Sequence, residues 1–230
     1  MRIAVYDCVT GDALTEKYGR TGPQVIDWIE SYLPEASFSW VHIAGNAAPP
    51  TPAEVDGIII SGSEKGVYDN TEWMQPLRDN LQQMRTAGVA MFGICFGHQI
   101  MADVFGGKAE KSDQGFVTGS RRFNDRGTPT NAFLAHQDQV HEVPPGAQVI
   151  ASAPHCPVAA LAYDFPALSV QFHPEYNRQF ATDLIDMFGA ELMPDDQLQA
   201  ARDSLSADVA DDLWCKDVAE FFREHCNTTR

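Results

Sequence analysis

The stretch VAMFGICFGHQIM, residues 89–101, is an apolar run that leads directly into a helical pattern. Cys95 lies at the junction, with Gly93 and Gly97 two residues away on either side. A strand that turns this sharply into a helix leaves no room for side chains at the flanking positions and strains the central residue. The stretch therefore predicts an α/β fold in which Cys95 projects at the carboxyl edge of the sheet.

Strand and helix patterns alternate on the amino-terminal side of this stretch, whereas the pattern changes from about Lys108. Beyond Lys108, short β-type runs are separated by Gly, Pro and Asp turns, which predicts an antiparallel β extension. We expect an open, mostly parallel, doubly wound α/β sheet with that extension. Besides the apolar run that begins at Val89, the predicted strands cover 2–9, 37–45, 55–63, 117–123, 139–143, 147–153, 158–163 and 167–173. The predicted helices cover 22–33, 71–88, 97–107 and 177–192.

A helical tail follows Pro194, which stops the preceding helix. Either of the two aspartates after this proline is expected to cap the next helix. Apolar residues then recur at helical spacing from Leu198 to Phe222, which predicts one or two amphipathic helices. We therefore divide the chain into a catalytic domain, 1–190, and a helical extension, 191–230. Packing of the extension on the domain is the first interpretation, and a homodimer contact is the second.

The charge, the cysteine spacing and the apolar segments of the sequence exclude several kinds of partner and site. The 230 residues carry a formal charge of −16, which argues against binding to nucleic acid or to an anionic membrane. The five cysteines include no CxxC pair, so neither a disulfide framework nor a zinc ribbon is expected. The amino-terminal residues show no signal-peptide pattern, and no segment reaches the roughly 20 apolar residues of a membrane helix. We expect a cytoplasmic protein.

The position of Cys95 indicates a nucleophile. At a helix amino terminus, the partial positive charge stabilises an anion. The Phe96 backbone N–H points the same way and can donate to a developing oxyanion. A small buried core residue is the alternative interpretation of Cys95, but it leaves the two glycines and the polar residues that follow unexplained.

The histidine that best fits a catalytic base lies in Val170-Gln171-Phe172-His173-Pro174-Glu175. His173 and Glu175 are two residues apart in an extended segment, so their side chains share one face. A carboxylate beside an imidazole orients the ring and stabilises its protonated form. A surface turn is the alternative interpretation of this motif when it is read without Cys95. His98 is too close to Cys95 along the helix to face back onto it.

Together, GICFGHQ and the downstream FHPE resemble the class I (triad) glutamine amidotransferases, over roughly residues 1–190. The segment AHQDQV, residues 135–140, is similar to the one that lines the glutamine pocket in GMP synthetase-type members. The resemblance implies a flavodoxin-like sheet and a stand-alone member similar to GMP synthetase amidotransferases or γ-glutamyl peptidases. It implies no cofactor and no metal.

The resemblance also implies the roles of individual residues. Cys95 attacks the γ-carboxamide carbon, His173 moves the proton to the leaving group, and Glu175 orients His173. The resulting γ-glutamyl thioester is hydrolysed by water. The residues expected to bind the substrate or its oxyanion are Gly62, Ser63, Phe96, Gln99, His136, Gln137 and Asp138.

Two segments depart from the family pattern, at three positions. The oxyanion loop reads Gly62-Ser63-Glu64 where Gly-Gly-Pro is usual, and Ala135 replaces a common serine or asparagine. Both changes suggest that the group beyond the γ-carboxamide differs from that of free glutamine.

Three functions remain open at this point. The first is a free-standing hydrolase of glutamine or of a small γ-glutamyl compound. The second is a glutaminase subunit that serves a separate synthetase chain, because no G-x-x-x-x-G-K-[ST] phosphate loop is present. The third is a non-catalytic binding or regulatory protein on the same fold, against which the presence of Cys95, His173 and Glu175 argues.

Overall fold

The computed structural model describes residues 1–11, 13–209 and 212–226. The strands in this part of the chain are β1 (Arg2–Asp7), β2 (Ser37–His42), β3 (Gly57–Ile60), β4 (Ala90–Ile94), β5 (Lys108–Lys111), β6 (Val117–Asp125), β7 (Thr128–His136), β8 (Asp138–Glu142), β9 (Gln148–Ala153), β10 (Cys156–Ala162) and β11 (Ala167–Val170). The helices are α1 (Ala13–Tyr18), α2 (Thr21–Ile29), α3 (Met74–Ala87), α4 (Phe96–Val104), α5 (Arg178–Leu192), α6 (Asp195–Ser204) and α7 (Leu213–His225).

A nine-stranded sheet in the order β2-β1-β3-β4-β11-β10-β9-β6-β7 forms the centre of the described chain. The strands from β2 to β11 in this order are parallel, and β10, β9, β6 and β7 continue the sheet in antiparallel pairing. Strands β5 and β8 form a separate antiparallel pair. The predicted fold class, including the antiparallel extension, is confirmed.

Three elements were not predicted: α1, β5 and β7. Strand β7 contains Pro129, which cannot donate a backbone hydrogen bond and which argues against a central strand. The structure resolves this conflict because β7 is the edge strand of the large sheet. Among the described residues, no helix is long and apolar enough to cross a membrane.

The described part of the tail forms two helices, and both pack on the chain's own sheet. Trp214 of α7 lies against Phe92 and Phe172, with ring centroids 6.5 and 5.4 Å away. Phe222 is fully buried beside Gly57, where an added Cβ would lie 2.7 Å from its ring. The division of the chain at residue 190 stays a prediction, and residues 210, 211 and 227–230 of the predicted extension lie outside the described residues.

The start of α6 differs from the expectation. Pro194 occupies the N-cap position, and no side chain caps the helix there. Asp195 and Asp196 lie inside the first turn instead, so the prediction that one of them is the cap was wrong. Their negative charges still interact favourably with the amino-terminal end of the helix dipole.

We predict that Phe222→Ala lowers the free energy of unfolding by about 3–5 kcal/mol, because it leaves a cavity where α7 meets the sheet. Chemical denaturation followed by tryptophan fluorescence measures the change. Leu192→Ala is the control, because Leu192 is 47% exposed and its loss should change stability by less than about 0.5 kcal/mol. Equal stability of the two variants would show that α7 contributes no core to the domain.

Candidate active site

Cys95 lies in the sharp turn between β4 and α4. Its backbone has φ 51° and ψ −101°, a left-handed conformation that is costly for a residue other than glycine. An added Cβ on Gly97 would lie 2.3 Å from the carbonyl oxygen of Ile60, and one on Gly93 would lie 2.6 Å from the carbonyl carbon of Gly97. Only glycine fits at either position, so the strand and the helix can meet closely enough to raise Cys95 from the sheet.

The imidazole of His173 lies beside this turn. Its Nδ1 is 2.7 Å from Oε1 of Glu175, and both side chains are 4% exposed. An added Cβ on Gly62 would lie 2.9 Å from Cε1 of His173, 3.8 Å from its Nε2 and 3.7 Å from Cβ of Cys95. The far edge of the imidazole and Cys95 therefore flank the same glycine.

The pKa of His173 reflects this environment. Burial disfavours the charged ring, but the Glu175 carboxylate and the Cys95 sulfur outweigh that effect and raise the pKa to about 10. The net effect of these neighbours favours the protonated form of His173. A protonated imidazole next to a cysteine favours an ion pair between the two groups.

A row of aromatic rings extends outward from His173. Tyr176 stacks on the imidazole with a centroid separation of 4.0 Å and an interplanar angle of 7°. Phe180 follows at 4.4 Å from Tyr176, and Tyr18 of α1 follows at 5.0 Å from Phe180. All three side chains are half-buried, so each keeps part of its surface exposed. We call Tyr176, Phe180 and Tyr18 the aromatic row.

His98 faces away from Cys95, as expected from its position in the helix. Its ring is fully buried, with Nδ1 2.7 Å from the Ser169 hydroxyl and Nε2 3.2 Å from the Val158 carbonyl. Because a carbonyl only accepts, Nε2 donates and Nδ1 accepts from Ser169. Burial lowers the pKa of His98 to about 4, so the ring is neutral and ties α4 to β10 and β11.

The loop Gly62-Ser63-Glu64, predicted to form part of the oxyanion hole, is held by hydrogen bonds of its own side chains. The Ser63 hydroxyl accepts from the Lys65 backbone N–H at 3.1 Å, so it is turned back into the loop. Glu64 accepts from the Thr10 backbone N–H at 3.3 Å and contacts the Thr10 hydroxyl. This residue, in the place of the usual proline, therefore joins the loop to the segment after β1. Phe96 is the first residue of α4, where a backbone N–H has no acceptor inside the helix.

The segment 136–138 connects β7 to β8. His136 is buried, and its Nδ1 is 3.2 Å from the Asp138 carbonyl, while its Nε2 is buried without a hydrogen-bond partner. Burial lowers the pKa of His136 to about 3. The Asp138 carboxylate accepts from the Tyr68 hydroxyl at 3.1 Å, and the Gln137 carbonyl accepts from the Ser112 N–H at 3.1 Å.

The side-chain amide of Gln99 is hydrogen-bonded to other groups of the protein. Its amide nitrogen donates to the Asp138 carbonyl at 2.9 Å and to Oε1 of Gln171 at 3.1 Å, and the residue is 3% exposed. Both amide protons are therefore used inside the protein. The predicted contact of Gln99 with the substrate stays a prediction, and it would have to use the amide oxygen.

Comparison with known proteins identifies the family of this chain. Residues 22–190 match the family model described as glutamine amidotransferase class-I. The chain belongs to the class I glutamine amidotransferase family. The resemblance inferred from the two motifs is thus confirmed.

Two groups of relatives align with this class I amidotransferase. It is 29% identical to γ-glutamyl peptidase 3 of Arabidopsis thaliana, across 73% of this chain and 74% of the peptidase. It is 38% identical to the glutamine-hydrolysing GMP synthase of Azoarcus sp. (strain BH72), across 52% of this chain but only 25% of the synthase. It therefore spans about a quarter of that relative's length.

Solved structures share the fold of this amidotransferase. The crystal structure of a glutamine amidotransferase from Methylobacillus flagellatus superposes with a TM-score of 0.78 at 18% identity, covering 100% of this chain and 96% of the other. A glutamine amidotransferase from Thermotoga maritima superposes with a TM-score of 0.70 at 15% identity, covering 99% of each chain. At these identities, the likeness concerns the fold alone.

Two residues at the site of this amidotransferase were not singled out from the sequence. The amide nitrogen of Gln171 lies 3.5 Å from the Cys95 sulfur, and Tyr176 stacks on His173. Gln171 directly follows β11, which pairs with β4 in parallel. Gln171 could have been predicted as a site residue, because it follows a strand that lies beside the strand of Cys95.

We predict that a glutamine-like diazoketone labels Cys95 alone among the five cysteines at pH 7. Burial raises the pKa of Cys156 and of Cys226 to about 12 and raises that of Cys8 well above its usual value, so these thiols stay protonated and unreactive. Peptide mass spectrometry after labelling locates the adduct. Label on Cys156 or Cys226 in the folded protein would contradict the assignment of Cys95 as the reactive thiol.

Proposed function

We propose that this protein hydrolyses the γ-carboxamide of glutamine or of a γ-glutamyl compound through a thioester on Cys95. His173 acts as acid and base, and Glu175 orients it. The observation that carries the proposal is the geometry of these three groups. A strained cysteine at a helix start flanks Gly62 together with an imidazole whose Nδ1 is 2.7 Å from a buried carboxylate.

The first half of the reaction is acylation. The Cys95 thiolate attacks the γ-carbonyl carbon, and the carbonyl oxygen becomes an oxyanion next to the Phe96 N–H and the Gly62-Ser63 backbone. His173 donates its Nε2 proton to the nitrogen of the leaving group as the carbon–nitrogen bond breaks. Ammonia or an amine departs, and a γ-glutamyl thioester remains on Cys95.

The second half is deacylation. His173 is now neutral and takes a proton from water as the water oxygen attacks the thioester carbon. The carbon–sulfur bond breaks, glutamate leaves, and the thiolate and the imidazolium are restored. Glu175 stabilises the imidazolium in both halves because its carboxylate lies 2.7 Å from Nδ1.

Three observations favour a γ-glutamyl amide with a larger leaving group over free glutamine. The γ-glutamyl peptidase of A. thaliana aligns across three quarters of its own length, whereas the GMP synthase aligns across a quarter. The aromatic row begins at His173, the residue that gives its proton to the leaving group. Ser63, Glu64 and Ala135 differ from the family residues around the substrate.

Two alternatives carry less support. A glutaminase subunit that delivers ammonia to a separate synthetase chain follows from the GMP synthase relatives. A non-catalytic binding protein on this fold does not explain why the strained Cys95 backbone and the buried His173–Glu175 pair are both present. Free-standing hydrolysis therefore remains the proposed function.

Cys95→Ser is expected to lower kcat for γ-glutamyl substrates by about 10³-fold or more, because the hydroxyl is a far weaker nucleophile beside this imidazole. Glu175→Gln is expected to lower kcat by about 10²–10⁴-fold, because the imidazolium loses its charged partner. Released glutamate measures both rates. Cys226→Ser is the control, since its sulfur lies 3.2 Å from the Asp56 carbonyl, just after α7. Parent-level hydrolysis by folded Cys95→Ser would refute the proposal.

We predict that γ-glutamyl-phenylalanine is hydrolysed with a higher kcat/KM than γ-glutamyl-glycine or glutamine, because its leaving group can contact the aromatic row. Phe180→Ala should reduce this preference by about three- to tenfold. Phe165→Ala, another half-buried phenylalanine that packs on Phe105 away from His173, should leave it unchanged.

The same assay separates the alternatives. If glutamine is the preferred substrate, and if a synthetase co-purifies in stoichiometric amount and raises its hydrolysis, then the protein is a glutaminase subunit. If no γ-glutamyl compound acylates Cys95, then it is a binding protein.

A further inference from the structure

A chain of hydrogen bonds between side-chain amides ends on the Cys95 sulfur. The amide nitrogen of Gln171 lies 3.5 Å from the sulfur. Oε1 of Gln171 accepts from the amide nitrogen of Gln99 at 3.1 Å, and that nitrogen also donates to the Asp138 backbone carbonyl at 2.9 Å. Gln171 is fully buried, and Gln99 is 3% exposed, so water does not compete for these groups.

The polarity of this chain is fixed by its far end. The Asp138 carbonyl can only accept, so the group of Gln99 that faces it is the NH₂ group. The second proton of that NH₂ group needs an acceptor, which must be the oxygen of Gln171. The NH₂ group of Gln171 therefore faces the sulfur. If the Gln171 amide were reversed, two NH₂ groups would face each other and both would lose a bond.

The sheet places Gln171 next to the nucleophile. Ile94 of β4 is paired with Val170 of β11, so the next residues along the two strands are neighbours. The Cys95 N–H donates to the Val170 carbonyl, and the Gln171 N–H donates to the Ala159 carbonyl, both at 2.8 Å. Both backbones are fixed, and the amide has little freedom to move from the sulfur.

The thiol and the thiolate forms of Cys95 make hydrogen bonds to different neighbours. The thiol can donate to the Ala135 carbonyl, 3.9 Å from the sulfur. A thiolate cannot donate, but it accepts from the Gln171 amide more strongly than a thiol does. The other titratable groups that face Cys95 are His173 with its partner Glu175, and Cys156 on β10.

We propose that Gln171 is a further catalytic residue that stabilises the thiolate of Cys95 by donating to its sulfur, and that Gln99 is a positioning residue that holds the Gln171 amide in the required orientation. This rests on the proposed role of Cys95 as nucleophile. The contact stabilises the resting thiolate and the thiolate that leaves when the thioester is hydrolysed, while a thioester sulfur is a weaker acceptor.

The test measures the rate of Cys95 alkylation by iodoacetamide between pH 5 and pH 10, quantified by peptide mass spectrometry. In Gln171→Leu, the midpoint of the pH profile should rise by about one unit, which is about a tenfold lower rate at pH values below the parent's midpoint. Gln99→Leu should raise the midpoint in the same direction by a smaller amount, because the Gln171 amide is then free to reverse.

Gln139→Leu is the matched control. Gln139 is 4% exposed, and its amide donates to the His155 carbonyl at 2.8 Å, so the variant loses a buried amide without changing the sulfur's neighbours. Its midpoint should equal that of the parent. Gln171→Glu is the second variant, because it keeps an acceptor for Gln99 but places a carboxyl oxygen against the sulfur, which should also raise the midpoint.

An unchanged midpoint in folded Gln171→Leu or Gln171→Glu overturns the role of Gln171. An unchanged midpoint in Gln99→Leu, with a shifted one in Gln171→Leu, overturns the positioning role of Gln99. Alkylation requires no substrate, so these results do not depend on whether the parent hydrolyses γ-glutamyl compounds. Thermal unfolding of each variant shows whether the chain is folded during the measurement.

Discussion

The close contact between α4 and β3 is the constraint on which the site depends. Gly97 lies so near the Ile60 carbonyl that no side chain fits between them, and its N–H donates to the Ser61 carbonyl at 3.1 Å. The chain reaches this contact through a residue with positive φ at position 95. The strain at Cys95 is thus imposed by the packing of a helix on a strand, and it aims the sulfur away from the sheet.

The antiparallel extension and the tail support His173, the histidine proposed to act with this sulfur. His173 lies three residues beyond β11, and its backbone N–H donates to the Phe133 carbonyl of β7 at 2.8 Å. Phe172, the residue before it, packs against Trp214 of the tail. The antiparallel extension therefore supports the segment around His173 from one side, and the tail supports it from the other. The parallel strands alone would leave this segment unsupported.

Much of this arrangement could be predicted from local sequence patterns. The turn at Cys95 and the His173–Glu175 pair depend on residues that are close in the chain, as do most strands and helices. Strand β7 was missed because Pro129 is tolerated only at a sheet edge, which depends on the strand order. The amide contact of Gln171 was missed because its orientation is set by a backbone carbonyl of Asp138, which is distant in sequence. Such contacts exist only after the strands are assembled.

The stack of Tyr176 on His173 has a consequence for the rates of the two half-reactions. An imidazolium over the face of a phenol ring gains a cation–π attraction, which adds to the stabilisation of the same charged ring by Glu175. In the proposed reaction, such a stabilised imidazolium is a weak acid during acylation, and the neutral imidazole is a strong base during deacylation. We therefore expect the thioester to break down faster than it forms, so that progress curves start without a burst.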